Sequence, residues 1–288
     1  MKLSLSTFVY VNYALDETIR RVADLGYDGV ELWGGRPHAY CDDITPKEAR
    51  RLRALAERKG VAFSAFIPAQ FRYPTCLCSP CGHVRSASVA YIKKSMAAAK
   101  LFGCRNVSIC PGHTLFGQGY ENGRQALAES ARALLAFARA EKMSLYLEPA
   151  HRLESDLVMT VEEGVRFMHD FSLENLGIVM DTGHCFVNKE SLSDCLRLLE
   201  GIPYHIHLDD NHGNSDDHKV PGDGGICFEP FLTALDQARY KGFLTAELGW
   251  GDTADPDAAA CRCKVWYDAQ LARLRQRRRD SARPGAKA

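Results

Sequence analysis

Apolar and polar residues follow one another along the chain with two different periods. Eight short segments have the mixed or continuous apolar pattern of buried strands, and each is followed by a segment with apolar residues at helical spacing. The predicted strands are KLSLSTF, DGVELWG, VAFSAFI, NVSIC, SLYLE, LGIVMD, YHIHLD and FLTAEL. This regular alternation is typical of a parallel sheet with helices packed outside it.

Capping residues and chain length narrow the fold further. Thr45 and Pro46 predict the start of the second helix and Gly60 its end, and another helix is predicted to begin at Thr160. Eight strand–helix units over this length predict an α/β fold, a single-domain (β/α)₈ TIM barrel. An open doubly wound sheet is the alternative, but the segment after its first strand should be glycine-rich, and VYVNYALDE contains no glycine. We predict a barrel domain over 1–276 and a basic, disordered tail over 277–288.

Composition limits the classes of function. The chain has 288 residues, of which 46% are hydrophobic and 25% charged, as in an ordinary globular domain. Its 36 basic residues balance 36 acidic residues, so the chain has no electrostatic footprint for nucleic acid. Neither a signal peptide nor an apolar run of the roughly 18 residues that span a membrane is visible. We expect a cytoplasmic protein that binds neither nucleic acid nor membranes.

Eleven cysteines raise the question of a zinc site. Three of them form the run CLCSPC, at Cys76, Cys78 and Cys81. A structural zinc site needs four ligands at matched spacing, and no second CxxC lies nearby in sequence, although Cys261 and Cys263 could approach in space. We interpret these cysteines as ordinary free thiols of a reducing compartment.

The ends of four consecutive strands carry metal-binding side chains. Strands five to eight end in LYLEP, IVMDTGH, YHIHLDD and LTAELGW, which supply Glu148, Asp181, His207 and Glu247. Active sites of TIM barrels form at this end of the strands, so we expect these four side chains to converge. Three carboxylates and one imidazole suit Mn²⁺, Mg²⁺ or Co²⁺, and the imidazole also admits Zn²⁺ or Ni²⁺.

A second group of residues is expected around this set, as substrate contacts. Glu154 and His184 follow two of the metal-binding residues closely, and Trp33, Phe66 and His113 follow or close strands two, three and four. For His113, a loop imidazole without a ligand is an equal alternative. Gln70, Arg72 and Tyr73 are candidates for holding a substrate tail.

The run HIHLDDNHGNSDDHKVPGDG, at 205–224, concentrates histidines and aspartates. Strand alternation places His205, His207 and Asp209 on one face, with His205 one layer deeper. Asp209 stands at the mouth, where we expect it to orient His207 or to contact a substrate hydroxyl. We expect His212, Asp216 and Asp217 to be solvated and PGDG to form a turn.

These motifs resemble the xylose-isomerase-like barrel superfamily and, within it, the D-tagatose 3-epimerase-like ketose 3-epimerases, the fructoselysine 3-epimerases most closely. The likeness lies in LGYDGVELWGGRPHAY at 25–40, in the LEP and ES pairs at 147–155 and in the run at 205–224. It covers nearly the whole chain before the basic tail.

The resemblance implies roles for the site residues. Glu148, Asp181, His207 and Glu247 would bind one divalent ion, and Glu148 and Glu247 would also exchange the proton. Glu154 and His184 would bind the carbonyl end of the substrate. Where relatives often carry an arginine six residues after the ligand histidine, this chain has Gly213, and His218 takes the place in the substrate wall. The resemblance also implies a homo-oligomer, a dimer or tetramer, that acts on a small sugar.

Three other functions are weighed against the 3-epimerase. An aldose–ketose or hydroxypyruvate-type isomerase, or a keto-polyol dehydratase, could use the same groups on another carbon. An apurinic endonuclease would need further histidines from strands two and three, but strand three ends in AFIPAQ. A sugar-binding protein without catalysis would not need all four metal-binding positions filled.

Overall fold

The chain forms a closed barrel of eight parallel strands in a computed structural model that describes residues 1–70 and 74–281. Each strand pairs with its neighbours in sequence, and β8 closes the barrel against β1. The strands are β1 (Lys2–Ser6), β2 (Gly29–Gly34), β3 (Ala62–Pro68), β4 (Asn106–Ile109), β5 (Ser144–Leu147), β6 (Leu176–Asp181), β7 (Tyr204–Leu208) and β8 (Phe243–Ala246). The prediction of a single-domain (β/α)₈ TIM barrel is confirmed.

Helices surround the barrel and connect its strands. Within the described residues they are α1 (Leu15–Asp24), α2 (Pro46–Lys59), α3 (Gly82–Phe102), α4 (Tyr120–Glu141), α5 (Val161–Asp170), α6 (Thr182–Val187), α7 (Leu192–Leu198), α8 (Phe228–Gln237) and α9 (Pro256–Ser281). Two 3₁₀ turns, Thr7–Tyr10 and Trp250–Asp252, follow β1 and β8. The short helix α6, which the sequence pattern did not separate from its strand, begins directly after Asp181.

The predicted caps form as expected. The Thr45 hydroxyl accepts a hydrogen bond from the Glu48 N–H, and Gly60 ends α2 with φ of 76°. Thr160 and Glu163 form a capping box at the start of α5. Helix α9 extends to Ser281, beyond the domain limit predicted at 276, and Arg277 and Arg278 form ion pairs there with Glu229 and Asp236 of α8. Residues 282–288 of the predicted tail lie outside the described part.

Most of the core lies between the barrel and its helices, but the barrel interior contains a polar layer. This layer consists of Ser4, Glu31, Ser64, His205 and Thr245, all of them buried. The Thr245 and Ser4 hydroxyls lie 2.6 Å apart, and the Ser4 and Ser64 hydroxyls 2.9 Å apart. Buried polar groups need such partners because they have lost water. The layer lies directly below the carboxyl ends of the strands.

The cysteines form no disulfide bond, in agreement with the prediction of free thiols. In the CLCSPC run, Cys78 is buried and its thiol donates to the His113 carbonyl at 3.0 Å. Cys81 is exposed beside the His83 imidazole. No helix in the described ranges combines the length and hydrophobicity that crossing a bilayer requires.

Candidate active site

A cavity of about 860 Å³ opens at the carboxyl ends of the strands. Its floor contains Glu148 and Glu247, which follow β5 and β8 directly. Its walls come from the ends of β2 and β3 and from the segments that follow the other strands. Because every parallel strand ends at this rim, short segments from distant parts of the sequence meet around one space.

The four predicted metal-binding side chains lie together on the cavity floor. The His207 Nδ1 atom lies 2.7 Å from Glu148 Oε1, 2.8 Å from Glu247 Oε2 and 3.8 Å from Asp181 Oδ2. Around the barrel, Glu148 and Glu247 flank the Asp181–His207 pair. One ligand atom from each of the four residues falls within 4.8 Å of all the others. The geometry therefore brings together the set predicted from the strand ends.

Two observations fit a cation at this position. The Asp181 Oδ2 atom is buried and has no hydrogen-bond partner. Burial alone would lower the pKa of His207, but the carboxylates of Glu247, Glu31 and Glu148 raise it well above its usual value. The unpartnered Asp181 oxygen and the raised pKa of His207 have the same cause, which is that several carboxylates lie close together away from water. Such a cluster is unfavourable in free energy unless a positive charge lies beside it. A divalent ion with oxygen and nitrogen ligands satisfies this requirement.

The two glutamates have different electrostatic surroundings. Burial raises the pKa of the Glu148 carboxyl, and His207 only partly offsets this effect. Burial acts in the same direction on Glu247, but His207 and His218 outweigh it and lower its pKa. The Glu247 side chain is also more open, at 16% exposure against 5% for Glu148. The two carboxylates therefore differ both in their electrostatic surroundings and in their access to the cavity.

Below the cavity floor, Glu31 on β2 contacts two histidines of β7. Its Oε2 atom lies 3.2 Å from His207 Nε2 and 3.0 Å from His205 Nε2. Burial would raise the pKa of Glu31, but the imidazoles of His207 and His205 lower it to about 2. Glu31 is not among the residues predicted for the site. A charged residue inside the apolar strand GVELWG was the signal that could have found it.

Above the cavity floor, Asp216 holds three histidines. Its Oδ2 atom lies 2.8 Å from His218 Nε2, 3.2 Å from His151 Nε2 and 3.3 Å from His184 Nε2. The Asp216 side chain is 5% exposed, so the prediction that it is solvated is wrong. The three imidazoles shield it from water and lower its pKa against the effect of burial. Glu154, whose Oε2 lies 3.8 Å from His184 Nε2, completes this wall.

An aromatic wall faces the histidines across the cavity. The Phe8 ring packs edge-on against Trp33 with centroids 5.1 Å apart and against Trp250 with centroids 4.7 Å apart. All three rings line the cavity, as predicted for Trp33 alone. Gln70 lines it too and binds the backbone of Ser108 and Cys110. The other tail candidates, Arg72 and Tyr73, lie outside the described residues.

Three other predicted contacts lie behind the cavity wall. Phe66 is fully buried in the core. The His113 Nε2 atom lies 3.1 Å from the Leu153 carbonyl oxygen. The buried Asp209 accepts hydrogen bonds from the Thr182 hydroxyl and the Gly183 N–H, and its Oδ2 lies 3.3 Å from His218 Nδ1. A Cβ on Gly183 would overlap this carboxylate.

The remaining residues of the histidine-rich run divide into two groups. His212 and Asp217 are exposed, as predicted. Asp210 is buried, and its carboxylate accepts hydrogen bonds from the N–H groups of Gly222, Gly224 and Ile226. These bonds fix the PGDG turn that leads to α8. The hydrogen bonds to Asp210 thus hold the loop that contains Asp216 and His218 in one conformation.

Comparison with known proteins agrees with this geometry. The family described as xylose isomerase-like TIM barrel matches residues 19–268. The fructoselysine 3-epimerase of Escherichia coli O157:H7 is 28% identical over 254 residues, which cover 86% of this chain and 90% of that protein. The D-psicose 3-epimerase of Agrobacterium fabrum is 25% identical over 266 residues, covering 87% and 83%.

Solved structures show the same fold. A D-tagatose 3-epimerase-like protein superimposes with a TM-score of 0.80 at 22% identity, over 96% of this chain and 99% of the other. A D-psicose 3-epimerase crystallised in the presence of D-fructose gives a TM-score of 0.79 at 20% identity, over 94% and 99%. The chain belongs to the xylose isomerase-like TIM barrel family.

Proposed function

We propose that this protein is a divalent-metal-dependent ketose 3-epimerase that acts on fructoselysine, its C3 epimer psicoselysine or a related ketose. The observation that carries the proposal is the placement of Glu148 and Glu247 on two sides of the Asp181–His207 pair, at the floor of the cavity. The epimerase names of the relatives support it. An isomerase of carbohydrates is thus the enzyme class that we assign.

Epimerisation next to a carbonyl group needs two groups on opposite faces of one carbon. One carboxylate removes the proton from C3, which leaves an enediolate, and the other carboxylic acid returns a proton to the opposite face. Glu148 and Glu247 follow β5 and β8 directly, and both line the cavity. Either residue can start as the base, depending on which epimer is bound.

Glu148, Asp181, His207 and Glu247 are the residues that would hold the cation. When bound, Mn²⁺, Co²⁺ or Mg²⁺, or else Zn²⁺ or Ni²⁺, supplies Lewis-acid stabilisation for the negative charge on the two substrate oxygens. His184, Glu154 and His218 line the cavity, where His184 and Glu154 would bind the carbonyl end of the sugar and His218 a neighbouring hydroxyl. The rings of Phe8, Trp33 and Trp250 keep water away from the opposite side.

The charges around the cavity favour a sugar without a phosphate group. Among the described residues that line it, Lys219 is the one lysine or arginine, and its ammonium lies 3.8 Å from Asp217 Oδ2. The carboxylates of Glu148, Glu154, Asp216 and Glu247 face the same space. The imidazoles of His151, His184 and His218 already contact Asp216, so a phosphate dianion would have this one lysine to bind, whereas a neutral ketose needs no cationic side chain.

The direct test is solvent exchange at one carbon. The enzyme would be incubated in D₂O with Mn²⁺ or Co²⁺ and with fructoselysine, D-psicose, D-tagatose or a ketose phosphate, and the products followed by NMR. We expect deuterium at C3 together with the C3 epimer. Label at C1 alone would contradict the proposal and indicate carbonyl migration. Chelated enzyme is the control, and it should leave every substrate unchanged.

We also propose an oligomeric state and a cellular compartment for this protein. The protein acts as a dimer or tetramer, and it works in the cytoplasm, where its eleven thiols stay reduced. Light scattering of the purified protein tests the first, and a monomer at micromolar concentration would contradict it. Fractionation of the source cells tests the second.

A further inference from the structure

The polar layer of the barrel contains a carboxylate that the proposed reaction does not use. Glu31 lies on β2, across the barrel from His207, and both side chains are completely shielded from solvent. A residue of this kind is costly to bury unless its partners compensate for the lost water. Its contacts therefore indicate what it does.

The contacts of Glu31 determine which nitrogen of His207 carries a hydrogen. An ionised carboxylate can only accept hydrogen bonds, so each imidazole nitrogen facing it must be an N–H group. The Oε2 atom of Glu31 lies 3.2 Å from His207 Nε2. The other nitrogen, Nδ1, faces Glu148 and Glu247, and a divalent ion held between these carboxylates would take the place of its hydrogen.

A second histidine fixes the carboxylate itself. His205 Nε2 lies 3.0 Å from the same Oε2 atom and 3.1 Å from the Thr245 hydroxyl. The Thr245 hydroxyl continues to Ser4 at 2.6 Å, so Glu31 is tied to β7, β8 and β1 at once. Such ties restrict the carboxylate to one position, which in turn restricts the orientation of the His207 ring.

We propose that Glu31 is a positioning residue, which holds His207 as the Nε2–H tautomer so that Nδ1 is free to bind the divalent ion. The inference rests on the metal site of the proposed function. Partners of this type orient ligand histidines in metal proteins, and their loss typically weakens metal binding about 10–100-fold. Glu31 would touch neither the substrate nor the ion.

The variant that tests this role is Glu31→Gln, which keeps the shape of the side chain and removes its charge. Its matched control is Ser108→Ala, which removes a buried hydroxyl of β4 that has no hydrogen-bond partner among the described residues. The measurement is the Mn²⁺ dissociation constant, from the EPR signal of free Mn²⁺. We expect Glu31→Gln to bind Mn²⁺ about 10–100-fold more weakly and Ser108→Ala to stay within about threefold of the unmodified protein.

Two results would overturn the inference. Equal Mn²⁺ affinity in Glu31→Gln and the unmodified protein would mean that Glu31 does not act through His207. Equal weakening in both variants would mean that the loss of any buried polar group from the strands disturbs the site, so Glu31 would have no specific role. If the unmodified protein binds no Mn²⁺, Co²⁺ or Zn²⁺, the proposed function fails instead.

A measurement on the unmodified protein decides the matter even if Glu31→Gln does not fold. Long-range ¹H–¹⁵N spectra of protein loaded with diamagnetic Zn²⁺ and labelled with ¹⁵N-histidine distinguish an Nε2–H imidazole that binds the ion through Nδ1 from an Nδ1–H imidazole that binds it through Nε2. His207→Asn identifies the resonance of His207. An Nε2–H tautomer agrees with the inference, and an Nδ1–H tautomer overturns it whether or not the protein is an epimerase.

Discussion

Replacing Asp216 by asparagine should loosen the wall of the cavity and destabilise the protein. The Asp216 carboxylate lies within 3.3 Å of three imidazoles that come from the segments after β5, β6 and β7. Asparagine has nearly the same size but no charge. The change therefore removes the ionic attraction while it leaves the packing volume unchanged.

The expected loss can be estimated from the surroundings of Asp216. Removing one partner from a buried ion pair costs about 3–5 kcal/mol. The asparagine amide retains one acceptor oxygen, and the Asp216 side chain is 5% exposed, so little of the interaction is screened by solvent. We expect a loss of about 2–3 kcal/mol in the free energy of unfolding. For a chain of this size, this corresponds to a fall of about 4–6 °C in Tm.

The function should change in a way that separates Asp216 from a catalytic group. His151, His184 and His218 would lose their common anchor, so KM for the ketose should rise more than kcat falls. The assays are urea unfolding and initial epimerisation rates. Asp217→Asn is the matched control, because Asp217 is the adjacent aspartate with a side chain that is 38% exposed, and its unfolding free energy should change by less than about 0.5 kcal/mol.

A small change in both the free energy of unfolding and KM would refute the proposed role of Asp216. If Asp216→Asn unfolds at the same urea concentration as Asp217→Asn and keeps its KM, the three contacts do not hold the wall together. A loss of kcat with unchanged KM and stability would instead place Asp216 in the chemical step.

Other predictions follow from the site. Glu148→Gln and Glu247→Gln should each reduce kcat by about 10²–10⁴-fold or more while the sugar still binds, and either variant with most of its kcat would contradict a two-base mechanism. Dialysis against EDTA should abolish turnover, and added Mn²⁺ or Co²⁺ should restore it; activity that survives complete metal removal would contradict the proposed cofactor. Burial and the charge of Glu148 raise the pKa of the Cys110 thiol well above its usual value. Cys110 should therefore react far more slowly with iodoacetamide at neutral pH than the exposed Cys81, as peptide mass spectrometry can measure.

The fold and the floor of the site could be predicted because both depend on short sequence patterns within single strands and helices. Each strand end is a short pattern, and parallel strands bring their ends to the same rim of a barrel. Glu148, Asp181, His207 and Glu247 could therefore be placed together without knowledge of any side-chain contact. Phe66 was placed at the cavity on the same reasoning, but its ring turns into the core, because a strand end fixes height and not direction.

Asp216 could not be placed from the sequence. Its burial depends on three loops that meet, one of them more than sixty residues away in the chain, and a polar loop has no periodicity that indicates such a meeting. Glu31 was within reach, because strand alternation places it on the same face of β2 as Trp33. A carboxylate on the inner face of an apolar strand predicts a buried partner, and that partner is His207.

The polar layer has a consequence for attempts to improve this protein by engineering. In many barrels the interior is filled by apolar side chains, which can be replaced by other apolar side chains of similar volume in order to raise the thermal stability. Here Ser4, Ser64 and Thr245 form hydrogen bonds that lead to His205 and Glu31, and so to His207. Stabilising substitutions are therefore best sought on the outer helices, because the polar residues inside this barrel contact the residues proposed to bind the metal.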